Sequence, residues 1–196
     1  MLRAAAEVFL EQGYEGARLE QVISRSGGSL STLYAEFKSK EGLFAALIHE
    51  ICHAMVCALP DLDEGAATPT DEVLLRFGLE YMRLLLEPVS LALYRIAMSE
   101  GARRPELSHA IYEAGPGAAS FRLSEYLERQ HARGVLEIVD PGLSARHFLE
   151  IVKGDLHLRA LLGVGALPSK EEIRACVASA VRTFLVGVSS GRRQSS

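Results

Sequence analysis

Residues 19–37 carry the pattern that most restricts the fold of this chain, because it predicts two short helices joined by a glycine turn. Apolar residues recur at helical spacing within each helix: Leu19, Val22 and Ile23 in the first, and Leu33 and Phe37 in the second. Gly27 and Gly28 permit the sharp turn, and Ser29 is a favourable N-cap for the second helix. The pattern predicts a helix-turn-helix, an arrangement that lays its second helix in a DNA groove.

Four short segments near the start of the chain follow one another in a fixed order. They are Gly13-Tyr14, the helix-turn-helix itself, Thr32-Leu33-Tyr34 followed by Phe37, and Ser39-Lys40-Glu41 at the start of a fourth helix. Together they resemble the tetracycline-repressor (TetR) family, over roughly residues 2 to 58, and the composite is more specific than a bare helix-turn-helix. The resemblance implies a dimeric repressor that releases double-stranded DNA when a small molecule enters a larger C-terminal domain.

The resemblance also implies which residues meet DNA. The family's usual phosphate contacts fall on Thr32, Tyr34 and Lys40, and the N-terminus of the fourth helix adds amide donors. Base reading falls to the start of the recognition helix, at Gly28, Ser29, Leu30 and Ser31. Relatives commonly have Lys or Arg where Leu30 stands and an apolar residue where Gly28 stands. Leu30 either touches a thymine methyl or is a partly buried helix residue.

The charge of the N-terminal segment restricts how it can bind DNA. Residues 1–50 carry seven acidic and five basic side chains, a net charge of −2. Phosphate neutralisation supplies most of the non-specific affinity of a DNA-binding protein. We therefore expect basic residues, among them Arg25, Lys38 and Lys40, to be concentrated on the DNA face and the acidic residues to lie elsewhere.

The composition predicts a globular protein of two modest domains, since 48% of the 196 residues are hydrophobic. No stretch approaches the about 18 unbroken apolar residues of a membrane span, and the N-terminus lacks the pattern of a signal peptide. Cys52, Cys57 and Cys176 form no disulfide framework, which agrees with a reducing compartment. We expect a cytoplasmic protein that is not an enzyme and needs no cofactor or bound metal.

Helical periodicity continues along the rest of the chain, and no credible series of strands is present. The sequence predicts an all-α protein with a three-helix helix-turn-helix DNA-binding domain (1–45), a C-terminal effector-binding and dimerisation domain (46–189) and a flexible tail (190–196). Gly115-Pro116-Gly117 predicts a break between two helices. One long helix is expected from Asp140-Pro141 to about Leu162, and Ser169-Lys170-Glu171-Glu172 is a capping box for a final helix that reaches about Val188.

Segments in the C-terminal part resemble the AefR-like subgroup of the same family. They are Arg104-Pro105-Glu106-Leu107, Ala110-Ile111-Tyr112, Ala145-Arg146-His147-Phe148 and Gly154-Asp155-Leu156-His157. Aromatic and thioether side chains of this part can line an apolar effector cavity between helices: Phe77, Tyr81, Met82, Tyr94, Met98, Tyr112, Phe121 and Phe148. Packing in the core is the ordinary use of such residues, so both uses stay open.

The family pattern places dimerisation on the last two long helices, roughly 141–162 and 169–188. Their apolar residues exceed what a small domain needs for its own core: Leu149, Leu156, Val177, Val181, Phe184 and Leu185. A two-fold dimer predicts a pseudopalindromic operator, with one recognition helix in each half.

The fourth helix contains a motif of another class, since His49-Glu50-Ile51-Cys52-His53 has the H-E-x-x-H pattern of zinc peptidases. The extended form of that motif, with a third ligand shortly downstream, is missing. At 100° per residue His49 and His53 project away from the stripe of Leu43, Leu47, Ile51 and Met55, which predicts an exposed position. A softer alternative is a metal- or redox-responsive regulator that uses His49, Cys52, His53 and Cys57.

Overall fold

The structure, a computed structural model, describes residues 1–62 and 68–188, and within these ranges the chain forms eleven α-helices and no β-strand. The all-α prediction is confirmed. The helices are α1 (Leu2–Gly16), α2 (Leu19–Ser26), α3 (Leu30–Phe37), α4 (Lys40–Ala58), α5 (Thr70–Leu85), α6 (Pro88–Glu100), α7 (Pro105–Tyr112), α8 (Ala118–Ala132), α9 (Pro141–Lys153), α10 (Leu156–Leu162) and α11 (Lys170–Val188). The predicted tail, 190–196, lies outside the described residues.

The first of two compact units contains α1–α4 together with α6 and α7, over Met1–Cys57 and Glu87–Pro116. Its core is built around aromatic rings: the Phe44 ring lies 4.8 Å from that of Phe9 and 5.0 Å from that of Tyr14, edge to face in both pairs. Apolar side chains from every helix of the unit join this cluster, among them Val22, Leu33, Ile48, Ile96 and Leu107. The apolar stripe of α4 continues into this core past residue 45, and α6 and α7 add apolar residues from the middle of the chain.

The second unit contains the described residues of Ala58–Leu86 and Gly117–Ser196, that is α5 and α8–α11. Helix α9 packs between α8 and α11, and α11 also packs against α5. The rings of Phe148 (α9) and Phe184 (α11) meet edge to face at 5.1 Å. The unit therefore has a hydrophobic core of its own.

The apolar residues from which dimerisation was expected lie mostly in this core. Leu149, Leu156, Val177, Val181 and Phe184 are all buried within the single chain. That expectation was wrong for these side chains, because α9 packs against both α10 and α11 inside one unit. Other large apolar residues of the same region are exposed: Leu143, Ile151, Leu158, Leu162, Val164 and Leu167.

The helix expected from Pro141 to Leu162 is two helices, α9 and α10. Gly154 ends α9 with φ 51° and ψ −142°, a conformation that residues with a Cβ rarely adopt. A helical pattern of apolar residues runs through this position, so periodicity alone missed the interruption.

Residues Glu113–Gly117, where a break was expected, form a π-helical turn between α7 and α8. Pro116 has no N–H to donate, and the wider turn tolerates its ring.

The capping box of α11 is confirmed: the Glu172 N–H donates to the Ser169 hydroxyl at 3.1 Å, and the Ser169 N–H donates to the Glu172 carboxylate at 2.8 Å.

Helix α4 has the length and composition of a membrane span, which the sequence analysis did not anticipate. Its buried residues are Leu43, Phe44, Leu47, Ile48 and Cys52. These belong to the core of the first unit, so burial within the protein accounts for part of the apolar character of the helix.

We expect Gly42→Ala to destabilise the first unit by about 1–3 kcal/mol, the usual cost of overpacking. A Cβ on Gly42 would collide with the backbone carbonyl oxygen of Phe37, where the end of α3 approaches the first turn of α4. Urea unfolding followed by circular dichroism measures the change. Gly187→Ala is the matched control, because a Cβ there meets no atom within 4 Å. Equal stability of the two variants would contradict a tight α3–α4 junction.

Candidate nucleic-acid interface

The turn between α2 and α3 is built by local backbone geometry. Gly27 ends α2 in the left-handed region at φ 71°, and its N–H donates to the Ile23 carbonyl at 3.0 Å. Ser29 then begins α3, because its hydroxyl accepts the Thr32 N–H at 3.0 Å. The Ser29 and Thr32 hydroxyl oxygens also lie 2.8 Å apart. The turn thus fixes the direction of α3 and groups two hydroxyls at its start.

The two sides of α3 differ in exposure. Leu33 is fully buried in the core of the first unit. The residues expected to meet DNA at the start of the helix are exposed: Gly28, Ser29, Leu30, Ser31, Thr32 and Tyr34. The side chain of Leu30 is at the surface at 40% exposure, and that of Tyr34 is 49% exposed. A surface of hydroxyls with one apolar side chain is chemically suited to phosphate oxygens and base edges.

Lys40 lies at the first residue of α4 and is held by the end of α1. Its ammonium donates to the Glu15 carbonyl at 3.1 Å and lies 4.8 Å from the centre of the Tyr14 ring. An ammonium has three donors, so this contact leaves two for a phosphate. Burial lowers the pKa of Lys40, while the nearby Glu15 raises it. The side chain is therefore positioned at the helix terminus.

The other two predicted basic contacts differ in their surroundings. Arg25 forms a salt bridge with Glu11, with its Nη1 atom 2.9 Å from the Glu11 carboxylate, and a second carboxylate oxygen, from Glu7, lies 3.8 Å away. Lys38 is exposed at the C-terminus of α3, where it has a positive φ of 67°. Arg25 is thus held against α1, whereas Lys38 projects from the end of the recognition helix.

Hydrogen bonds and ion pairs within the first unit offset part of the negative charge of its acidic side chains. Arg25 lowers the pKa of Glu11 through a hydrogen bond, and Arg104 lowers that of Glu15 in the same way. Glu41 at the start of α4 hydrogen-bonds backbone N–H and the Ser39 hydroxyl, which lowers its pKa. The partners of these carboxylates lie on α2, in the α6–α7 turn and at the junction of α3 and α4.

Two contributors to this region were missed by sequence reasoning. Arg104 forms a salt bridge with Glu15 at 2.6 Å across 89 positions of sequence, a separation that no local pattern reveals. A Cβ on Gly28 would lie 2.9 Å from the Met1 methyl group. Met1 thus occupies the space beside Gly28.

The predicted effector residues fall in both compact units. Tyr94, Met98 and Tyr112 belong to the first unit, and Met98 and Tyr112 are exposed. The others belong to the second unit: Phe77, Tyr81, Met82, Phe121 and Phe148. All of these except the exposed Phe121 are buried.

An open groove of about 460 Å³ lies between α5 and α11 in the second unit. Its lining residues are Asp71, Leu75, Ala178, Val181, Arg182, Leu185 and Val186. The lining is apolar apart from Asp71 and Arg182, one charge of each sign, and it includes none of the predicted effector residues.

The histidines of the H-E-x-x-H motif are exposed on α4, as their helical phase predicts. The His49 and His53 rings stack at 6.0 Å, and the Cys57 sulfur lies 3.7 Å from His53 Nε2. Cys52 is instead buried, and burial raises the pKa of its thiol to about 11, which keeps it in the unreactive thiol form. In 1–62 and 68–188, no group of three or more His, Cys, Asp or Glu side chains can hold a metal ion.

Family models match both parts of the chain. Residues 1–47 match the model described as "Bacterial regulatory proteins, tetR family", and residues 72–187 match "AefR-like transcriptional repressor, C-terminal domain". The second match alone covers more than half of the chain. The two matched segments are those in which the sequence analysis found its resemblances.

Curated relatives agree with these matches but share only part of their length with the chain. The HTH-type transcriptional regulator RutR of Escherichia coli K12 is 33% identical over 107 residues, which are 52% of this chain and 48% of RutR. The HTH-type transcriptional repressor ComR of the same organism is 43% identical over 47 residues, 24% of this chain and 22% of ComR. The chain therefore spans about half the length of RutR and less of ComR.

Solved structures match over nearly the whole chain. The Flavonoid-responsive Regulator FrrA is 35% identical, with a TM-score of 0.82 over 97% of this chain and 96% of FrrA. A TetR-family regulator from Mesorhizobium loti has the same TM-score at 24% identity, over 96% of this chain and 94% of that chain, and shares the fold. On these matches, and on the exposed recognition helix described above, the chain belongs to the TetR family of bacterial regulatory proteins and carries an AefR-like C-terminal domain.

Proposed function

We propose that this protein is a cytoplasmic, homodimeric transcriptional repressor that binds a pseudopalindromic operator in double-stranded DNA and leaves it when a small hydrophobic ligand binds. The observation that carries the proposal is the contrast across α3, where Leu33 is fully buried and the hydroxyl-bearing side is exposed. A helix anchored on one side and polar on the other can enter a major groove as a rigid element. In this proposal the chain has no catalytic role.

Contacts at the start of α3 and α4 divide into two kinds. Thr32, Tyr34 and Lys40 meet phosphates and set the register of the protein on the duplex. Ser29, Leu30 and Ser31, beside Gly28, face base edges, and Leu30 offers an apolar contact to a thymine methyl. Lys38 adds charge beside the groove. Arg25 contributes from its salt bridge with Glu11, which orients the guanidinium.

We expect the double variant Thr32→Ala/Tyr34→Phe to weaken operator binding about 100-fold, because two hydrogen bonds to charged phosphates are lost. Both side chains are exposed, but the Thr32 hydroxyl also contacts the capping hydroxyl of Ser29 at 2.8 Å, so circular dichroism of the variant is recorded to check that α3 is retained. The probe is a duplex of about 30 base pairs, enough for two half-sites one helical turn apart, enriched by the wild-type protein from a random library. Fluorescence anisotropy measures Kd.

Thr183→Ala/Ser179→Ala is the matched control for this variant, since it removes two exposed hydroxyls from α11. The control is expected to bind like the wild-type protein. Unchanged affinity of the Thr32/Tyr34 variant would exclude α3 as the DNA-reading element.

The proposed dimer interface uses the apolar residues that the single chain leaves exposed. On α9, α10 and the segment that follows them, these are Leu143, Ile151, Leu158, Leu162, Val164 and Leu167. We infer that these side chains form one apolar patch, and a contiguous patch of this kind marks an interaction surface. In a two-fold dimer the same patch on the second copy covers it, so each contact occurs twice.

We expect Leu158→Arg to raise the dimer dissociation constant at least about 100-fold, because two unpaired charges enter one apolar interface. Sedimentation velocity over a concentration series measures the change. Leu10→Arg on α1 is the control, since Leu10 is exposed at 42% and Leu158 at 56%. A Leu158→Arg protein that remains as dimeric as the control would place the interface elsewhere.

The class of effector is proposed from the similar regulator FrrA, which is described as flavonoid-responsive. Two exposed side chains of the first unit, Met98 and Tyr112, and separately Phe121 of the second unit have the aromatic or thioether chemistry that suits a planar apolar ligand. The other candidates belong to one unit each: Tyr94 to the first, and the buried Phe77, Tyr81, Met82 and Phe148 to the second. Release follows if the ligand binds better to a dimer whose two heads no longer match successive major grooves.

We expect a flavonoid, tested as naringenin and quercetin, to bind the protein and to raise Kd for the enriched duplex at least about tenfold, a typical allosteric coupling. Calorimetry measures ligand binding, and anisotropy measures release. Glucose at the same concentration is the control for unspecific effects. A flavonoid that binds without changing Kd for DNA would exclude this ligand class as the effector.

A further inference from the structure

A cluster of charged side chains surrounds Tyr14 at the point where α1 ends and α4 begins. The Arg104 guanidinium carbon lies 5.0 Å from the centre of the Tyr14 ring, and the Lys40 ammonium lies 4.8 Å from it. Arg104 comes from the turn between α6 and α7, and the whole cluster belongs to the first compact unit. Two cations on one ring repel each other, so carboxylates must offset their charge.

Arg104 is bound by two carboxylates that differ in exposure. Its Nη1 atom lies 2.6 Å from Glu15 Oε1 and 2.8 Å from Glu100 Oε2. The Glu15 side chain is 56% exposed, whereas that of Glu100 is 8% exposed. Arg104 is thus the counter-charge of a nearly buried carboxylate and also engages the exposed carboxylate of Glu15.

Glu15 accepts hydrogen bonds from both cations of the cluster, Lys40 and Arg104. Its backbone carbonyl accepts a hydrogen bond from Lys40, and its carboxylate accepts one from Arg104. Lys40 interacts electrostatically with Glu15, Glu41 and Glu100, and Arg104 is the cation that opposes them. Without Arg104, the Glu15 carboxylate becomes a competitor for the Lys40 ammonium, and the local charge that faces a phosphate becomes more negative.

We propose that Arg104 is a positioning residue for DNA binding: by holding the Glu15 carboxylate, it keeps the Lys40 ammonium available for a DNA phosphate. The inference rests on the proposed DNA-binding function and adds to it a residue from the α6–α7 turn, far in sequence from the recognition helix. We propose no direct contact between Arg104 and DNA. Arg104 acts through Glu15 and Lys40.

The test is made in a Glu100→Gln background, because Arg104→Ala alone would leave the nearly buried Glu100 carboxylate without its counter-charge and destabilise the protein. Four proteins are compared: E100Q, E100Q/R104A, E15Q/E100Q/R104A and E100Q/R103A. The last is the matched control, since the exposed Arg103 acts on Glu15 only through longer-range electrostatics, whereas Arg104 donates a hydrogen bond to its carboxylate. Affinity for the duplex enriched by the wild-type protein is measured at several salt concentrations, and thermal unfolding is recorded for each protein.

We expect E100Q/R104A to bind about tenfold more weakly than E100Q, with a salt dependence reduced by about one phosphate contact. Adding E15Q is expected to restore affinity to within about twofold, because the competing carboxylate is then absent. E100Q/R103A is expected to bind like E100Q. A merely structural role for Arg104 predicts a loss that follows thermal stability and that E15Q does not repair, which would overturn the inference, as would unchanged affinity of E100Q/R104A.

A measurement without DNA separates this inference from the proposed function. NMR titration of the Lys40 side chain is expected to show a higher pKa in E100Q/R104A than in E100Q, and a return when Glu15 is replaced by Gln. An unchanged Lys40 pKa would contradict the proposal that the Glu15 carboxylate competes with a DNA phosphate for the Lys40 ammonium. If the titration shows the expected changes while the wild-type protein enriches no duplex, the proposed function fails and the electrostatic role of Arg104 stands.

Discussion

The burial of Leu33 in the core of the first unit is the contact on which the recognition helix depends. Helix α3 has only eight residues, and a helix of that length is unstable by itself in water. Its conformation is maintained by Leu33, by the Ser29 cap at its start and by the close approach of its last turn to Gly42. Phe37 packs against the same core, so the packing of α3 is confined to one side of the helix and its exposed side can be polar.

The aromatic rings beneath α3 connect this helix to the rest of the unit. Phe9 and Tyr14 of α1 pack on Phe44 of α4, and apolar residues of α6 and α7 complete the same core. The first unit is thus more than a helix-turn-helix, because helices from the middle of the chain help to stabilise it. This is why a charged residue of the α6–α7 turn can reach the ends of α1 and α4.

The surface charge of the first unit depends on which charged side chains pair with each other, and not only on how many of each sign the sequence contains. An acidic N-terminal segment suits DNA poorly when its charges are merely counted. In the folded unit Glu11 is bound by Arg25 and Glu15 by Arg104, so part of the negative charge is offset locally. The electrostatic surface of such a protein depends on which side chains face each other, and a sum over the sequence does not contain that information.

Local patterns were sufficient wherever the signal lay within a few residues. The glycine turn, the Ser29 cap, the capping box of α11 and the exposed phase of His49 and His53 on α4 all follow from spacing and conformational preference. The sequence by itself also determined the helical class and, through its motifs, the family. The tertiary structure alone decided that Gly154 interrupts a periodic helix, that Val177 is core while Leu158 is exposed, and that Arg104 binds Glu15. Each of these three findings depends either on contacts between residues distant in sequence or on a backbone conformation set by packing. Neither kind of cause changes the periodic pattern of apolar residues from which helices are predicted.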